Sequence, residues 1–129
     1  MEPPKDAKLI HSSNSVSWIE EPDTICIISK KGPQPSIEEQ QREMEKFRQE
    51  FGDKKFRMLI DITEASASTK EARDFAAEEL PKITKAIAMI SRSALGKMLA
   101  NLFLGLKPPP YPTKLFSDEA SAREWLSKF

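Results

Sequence analysis

A chain of 129 residues, 39% of them hydrophobic, can bury one modest core and is too short for two ordinary domains. Its 20 basic and 20 acidic residues cancel, which excludes a general nucleic-acid binder, because such a protein needs clustered cations to displace counterions from phosphates. The lone cysteine, Cys26, rules out an intramolecular disulfide and fits a reducing cytoplasm.

The start, MEPPKDAK, lacks the basic and then apolar pattern of a signal peptide, so a cytoplasmic protein is expected. Residues 1–14 are polar and proline-bearing and read as a flexible arm carrying His11, the single histidine. One domain is expected over residues 15–129. Val16 and Trp18 alternate with Ser17, a turn follows at Glu20 to Asp23, and Ile25 to Ile28 are apolar without break. This is the pattern of a hairpin, an edge-like strand followed by a more buried one. Gly32, Pro33 and Pro35 stop the second strand. Ser36, with Glu39 three residues on, has the spacing of a reciprocal capping box, and Ile37, Met44, Phe47 and Phe51 share one helical face. The first helix is therefore expected from Ile37 to Phe51, with Gly52 ending it.

The short apolar run FRMLID, Phe56 to Asp61, ends abruptly in an acid. It predicts a central strand of a parallel sheet, and ligands gather beyond the carboxyl ends of such strands. Ser68 and Glu71 repeat the capping-box spacing, and an apolar stripe from Ala72 predicts a second helix that stops at Leu80, before Pro81. Ala86 to Ile90 is the next buried strand, Ala94 to Leu104 a third helix, and Pro108 to Pro112 an extended run leading into a short strand at Lys114 to Phe116. Ser117 or Asp118 caps a last helix with Ala122, Trp125, Leu126 and Phe129 on one face. The order ββαβαβαβα predicts an α/β domain with a mixed, mostly parallel sheet.

Four segments invite a chemical reading. In the third helix Leu95, Met98, Leu99, Ala100, Leu102 and Phe103 cover an arc of roughly 200° at 100° per residue. Either the helix is packed on several sides, or part of this face, with Leu106 and Tyr111, is a surface for a partner protein, a lipid or an apolar ligand. Residues 1–80 hold 12 basic and 17 acidic residues, whereas residues 81–129 hold eight and three. Arg92 and Lys97 thus lie in an acid-free stretch that would favour an anionic partner. The same two cations interrupt the apolar segment 86–106, so no transmembrane segment is expected. The turn Ser91, Arg92, Ser93 feeds a helix N-terminus and is read either as an anion seat or as a simple cap. The loop from Thr63 to Thr69 offers hydroxyls for a phosphate, or simply a cap. Asp61 with Glu64 as an acid and base or weak metal pair, and Cys26 with His11 as a nucleophile pair, are the enzymatic alternatives. No motif carries a specific reaction, and no cofactor or metal is expected.

The segments TKEARDFAAEE (Thr69 to Glu79) and SALGKMLANLFLGLKPPPYPTKLFSDEASAREWL (Ser93 to Leu126) resemble a family of small uncharacterised bacterial proteins with the SpoIIAA-like fold. That is the fold of STAS domains, related in shape to lipid-binding CRAL-TRIO domains. The most specific part is the run from Asn101 to Phe116. The resemblance implies a mixed sheet with consecutive strands adjacent. It also implies a non-enzymatic regulator that binds partner proteins and is switched by phosphorylation after the central strand, which by position falls on Ser66, Ser68 or Thr69. STAS antagonists carry an aspartate, two serines and a glycine at this turn, where this chain has Glu64, Ala65, Ser66, Ala67 and Ser68. The expected role is a binding module that engages a protein partner, with self-association one form of this, through helix 94–104 and the loop after the central strand. The alternative is a site for an apolar or lipid-like anionic ligand, or for a membrane surface.

Overall fold

The computed structural model describes residues 1–66, 69–106 and 108–129, with the backbone alone for Leu99, Leu102, Phe103, Leu104 and Leu106. The run FRMLID forms β4 (Phe56–Asp61), paired in parallel with β3 (Thr24–Ser29) on one side and β5 (Thr84–Ile90) on the other. The sheet continues through β2 (Ser15–Glu20) and β1 (Ile10–His11), both antiparallel, to one edge, and through the parallel β6 (Thr113–Phe116) to the other. Its order is β1-β2-β3-β4-β5-β6. Consecutive strands are neighbours throughout, as the resemblance implied. The helices are α1 (Ile37–Phe51), α2 (Lys70–Ile83), α3 (Ala94–Leu106) and α4 (Glu119–Leu126).

Because side chains alternate across a strand, each strand feeds two cores. On one face Trp18, Cys26, Leu59, Ala88 and Ile90 meet Ala122 and Leu126 of α4. The small Ala86 and Ala88 beneath Ala122 let α4 settle close to β5. On the other face Ile25, Phe56, Met58 and Ile87 meet Phe47 of α1 and Ile83 of α2. Leu59 and Ile87 are buried in these cores, while Ile60 and Trp125 are only partly buried at the cluster margins. Among the described residues every buried side-chain nitrogen or oxygen has a hydrogen-bond partner.

Several local expectations are corrected. The arm expected over residues 1–14 contains β1, and its Met1 and Ala7 pack against the core on the α4 side. The strand read as an edge, β2, is therefore covered by another. Ser36 caps α1 by accepting from the Glu39 N–H at 3.1 Å, but Glu39 does not reciprocate. Its carboxylate accepts instead from the Ser13 N–H at 3.1 Å and the Ser13 hydroxyl at 2.9 Å, tying α1 to the segment before β2. Gly52 ends α1 at φ 64°, a conformation that suits a residue without Cβ.

The second helix does not stop before Pro81 but runs to Ile83. Pro81 lies in its last turn, where the missing N–H forfeits one bond, and burial of Ile83 against Phe56, Met58 and Ile87 holds that turn in place. Its cap is Thr69, whose hydroxyl accepts from the Ala72 N–H at 3.2 Å; Ser68, the expected cap, lies outside the described residues. Strand β5 accordingly begins at Thr84, earlier than Ala86, and α3 reaches Leu106. Asp118 caps α4, as one of the two expected residues.

Candidate functional site

The parallel strands point their carboxyl ends at two adjoining turns, residues 62–66 after β4 and 91–93 after β5. Asp61, the acid that closes the central strand, is only 5% exposed. One of its oxygens accepts from the Thr63 N–H at 3.0 Å, and the other faces the Arg92 guanidinium at 3.4 Å. The Arg92 N–H donates to the Thr63 hydroxyl at 3.2 Å, so the two turns are stitched together. The structure thus joins two residues that the sequence had placed in separate hypotheses. Glu64, the other acid of this segment, is exposed.

The turn after β5 spends its polar groups on itself. The buried Ser91 hydroxyl donates to the Ser93 carbonyl at 3.1 Å and accepts from the Ser93 N–H at 3.2 Å. The Ser93 hydroxyl accepts from the Gly96 N–H at 3.2 Å and its carbonyl from the Lys97 N–H at 3.0 Å. The helix N-terminus read as an anion seat is therefore occupied by its own cap. Gly96 is required here by close approach, since a Cβ would lie 2.6 Å from the Ser91 hydroxyl.

From this anchored start α3 turns one face inward and another outward. Ala100 is buried and Lys97 half-buried. Leu95 and Met98, one turn apart, are each 61% exposed, with the exposed Ala94, Asn101 and Gly105 alongside. Leu102, Phe103 and Leu106 belong to α3 by backbone, but their side chains lie outside the described residues. Tyr111 is not a free surface residue: it packs against the α1 and α2 core, and burial pushes its hydroxyl pKa up. Of the three phospho-acceptor candidates, Ser66 is exposed, Thr69 is exposed but committed as the α2 cap, and Ser68 lies outside the described residues.

The remaining enzymatic candidates separate. Cys26 is fully buried in β3, and burial, with Glu20 nearby, pushes its thiol up to about 12. His11 is exposed on β1, with β2 between them. Among the described residues no three His, Cys, Asp or Glu side chains converge as a metal site requires.

Two clefts have no sequence motif. At the amino ends of the strands a cleft of about 180 Å³ lies among Glu20, Glu21, Thr24, Arg57, Arg123 and Ser127. Its cations are already paired, Arg57 with Asp23 at 2.9 Å and Arg123 with Glu20 at 2.8 Å and Glu119 at 2.7 Å. The second cleft, about 120 Å³, opens between α1 and α2 with Glu43 among apolar side chains. In the sequence Glu43 is one of several acids on an ordinary amphipathic helix, and only the approach of α2 sets it apart.

No helix of the described residues is long and apolar enough to cross a membrane. Comparison with known proteins places the fold. A solved structure of an uncharacterised DUF3478-family protein with a SpoIIAA-like fold, from Shewanella loihica PV-4, is 18% identical. It covers 98% of each chain at a TM-score of 0.56. At that identity the likeness concerns fold alone, and the fold of this chain is SpoIIAA-like. A protein of unknown function from Arthrobacter sp. FB24 is 26% identical over 88% of this chain and 99% of that one, with a TM-score of 0.32, too low to argue from. No curated protein matches the chain. A family model described as a domain of unknown function, DUF7793, matches residues 17–129, and the chain belongs to the DUF7793 family.

Proposed function

We propose that the protein is a non-enzymatic binding module that takes a protein partner on the outer face of α3 and the adjoining turns 62–66 and 91–93. The observation that supports this reading is the pair Leu95 and Met98, each 61% exposed and side by side on a helix whose opposite side buries Ala100. Large apolar side chains scattered singly are ordinary, but two together on one turn leave a patch that a partner can desolvate. Self-association is one form of this contact. The other occupant, an apolar anion or an anionic membrane surface, would draw on Arg92 and Lys97. The engagement of Arg92 with Asp61 weakens that draw, because the guanidinium already has a counter-charge.

The test is native mass spectrometry of protein purified from its own host, wild type beside Leu95→Asp/Met98→Asp. Both positions are exposed, so the double variant should keep its fold and its melting temperature. A second polypeptide, either another copy or a different chain, on wild type and absent from the variant is the expected result. Bound lipid lost in the variant would replace the protein partner with the lipid-like one. Wild type that carries neither would overturn the proposal.

A further inference from the structure

The sheet ends on one side at β6, and the register of its one ladder fixes which backbone groups are left over. The Ile87 N–H donates to the Pro112 carbonyl at 2.9 Å, and the Ser91 N–H to the Phe116 carbonyl at 3.0 Å. Successive residues of a strand turn their backbone groups to opposite sides. Pro112, Lys114 and Phe116 therefore face β5, while Thr113 and Leu115 turn their N–H and C=O groups outward. Among the described residues these outward groups have no backbone partner. An open ladder of this kind is a template for one more extended chain.

The side chains beside this edge select the chain that suits it. On the α4 face the Phe116 and Trp125 ring centroids are 5.7 Å apart, and those of Trp125 and Phe129 are 4.8 Å apart. Trp125 is half-buried and Phe129 is 40% exposed, so the aromatic row reaches the surface. Lys114 shares this face of β6, is exposed, and has no ion pair among the described residues; its ammonium stands 5.4 Å from the centroid of the Phe116 ring. Neither β5 nor β6 contains an acid. A second copy laid antiparallel on β6, with Thr113 opposite Leu115, would set Lys114 against Lys114 across the two-fold axis, and like charges directly opposite destabilise a ladder. Lys114 thus opposes self-pairing and favours an acid across from it. We propose that the free edge of β6 takes an extended segment of a different protein by strand addition, with a carboxylate opposite Lys114 and an aromatic side chain two residues away, beside Phe116. This surface uses no residue of α3, so neither proposal depends on the other.

The probe is the peptide acetyl-Thr-Phe-Thr-Glu-Thr-Phe-Thr-amide, which sets its carboxylate and rings on one face whichever way it runs, with a twin carrying Lys for Glu as control. Amide NMR of the isotope-labelled protein reads the edge directly. The Glu peptide should shift the Thr113 and Leu115 amide signals saturably and slow their hydrogen exchange, leaving Met98 of α3 unmoved. It should bind about fivefold more tightly than its twin, from one cross-strand pair made favourable and one repulsion avoided. Lys114→Glu, at an exposed position, should keep the fold and reverse the order of the two peptides. No saturable shift overturns the proposal, as does equal binding of the two peptides by wild type or an unchanged order in the variant. A response at Met98 equal to that at Thr113 and Leu115 also overturns it. So do shifts at those two amides that grow with protein concentration alone, which would show the edge pairing with itself.

Discussion

Truncating Leu59 to alanine compares the two roles met on β4, packing and the polar site. Leu59 is wholly buried, paired in register with Cys26 and Ala88, and clustered with Trp18, Ala122 and Leu126. Removing three carbon groups at ~0.8 kcal/mol each forfeits about 2.4 kcal/mol of transfer free energy. The neighbours Cys26, Ala88 and Ala122 are too short to fill the space, so a residual cavity of ~50 Å³ at ~24 cal/mol per Å³ adds about 1.2 kcal/mol. The expected loss is thus about 3.5 kcal/mol. With an unfolding entropy of ~2.1 cal/mol/K per residue, that lowers the melting temperature by about 13 °C. Asp61→Asn, two residues along the same strand, should cost only about 0.5 to 1 kcal/mol. The asparagine oxygen can still accept from the Thr63 N–H, and the lost pair involves an Arg92 side chain that is 53% exposed. Urea unfolding of both variants beside wild type measures the two differences. A Leu59→Ala loss below about 1.5 kcal/mol would refute the view that α4 and the sheet form a close-packed core. An Asp61→Asn loss equal to that of Leu59→Ala would make the carboxylate a structural partner and weaken every functional use of the turns beside it.

Two further outcomes follow from the α4 side of the sheet. The Cys26 thiol, buried and pushed up to about 12, should resist a thiol reagent in the folded protein near about pH 8 and react only as fast as the domain opens; full labelling within the mixing time would show that β3 is accessible. Glu20 is held down at about 2 by its hydrogen bonds to Arg123, with Trp18 also donating and burial opposing, against an ordinary value of 4.5. Because the folded state depresses this pKa, the stabilisation is complete above 4.5 and is lost as pH falls toward about 2. Arg123 and Glu20 are 38% and 27% exposed, so water screens the pair and the loss attributable to it should be about 1 kcal/mol. Unfolding measured at several acid pH values should therefore fall less steeply in Glu20→Gln than in wild type; parallel slopes would show that the pair contributes nothing.

The sequence alone determined the order of the main elements from β2 onward and the mixed, mostly parallel sheet, because those depend on local periodicity and on the connection rules. Short uninterrupted apolar runs at Ile25 to Ile28, Met58 to Ile60 and Ala86 to Ile90 read as strands of an inner sheet, and helical stripes between them imply parallel crossovers. Where a local rule competed with packing, the tertiary structure decided. Pro81 should end a helix, yet Ile83 gains enough by burial to carry the turn past it. Glu39 has the spacing to close a capping box, yet Ser13, 26 positions earlier in the chain, takes its carboxylate. Residues 1–14 look like solvent-loving arm, yet the free edge of β2 recruits Ile10 and His11 as a further strand.

The site divides in the same way. The acid that closes the central strand, Asp61, and the apolar side chains Leu95 and Met98 on α3 could be read from the sequence. That Asp61 meets Arg92 could not, because the two are 31 positions apart and are joined only by the parallel register of β4 and β5. Nor could the partial burial of Glu43, one acid among many on α1. A carboxylate loses water only when a second element packs over it, and the approach of α2 to α1 exists in three dimensions alone.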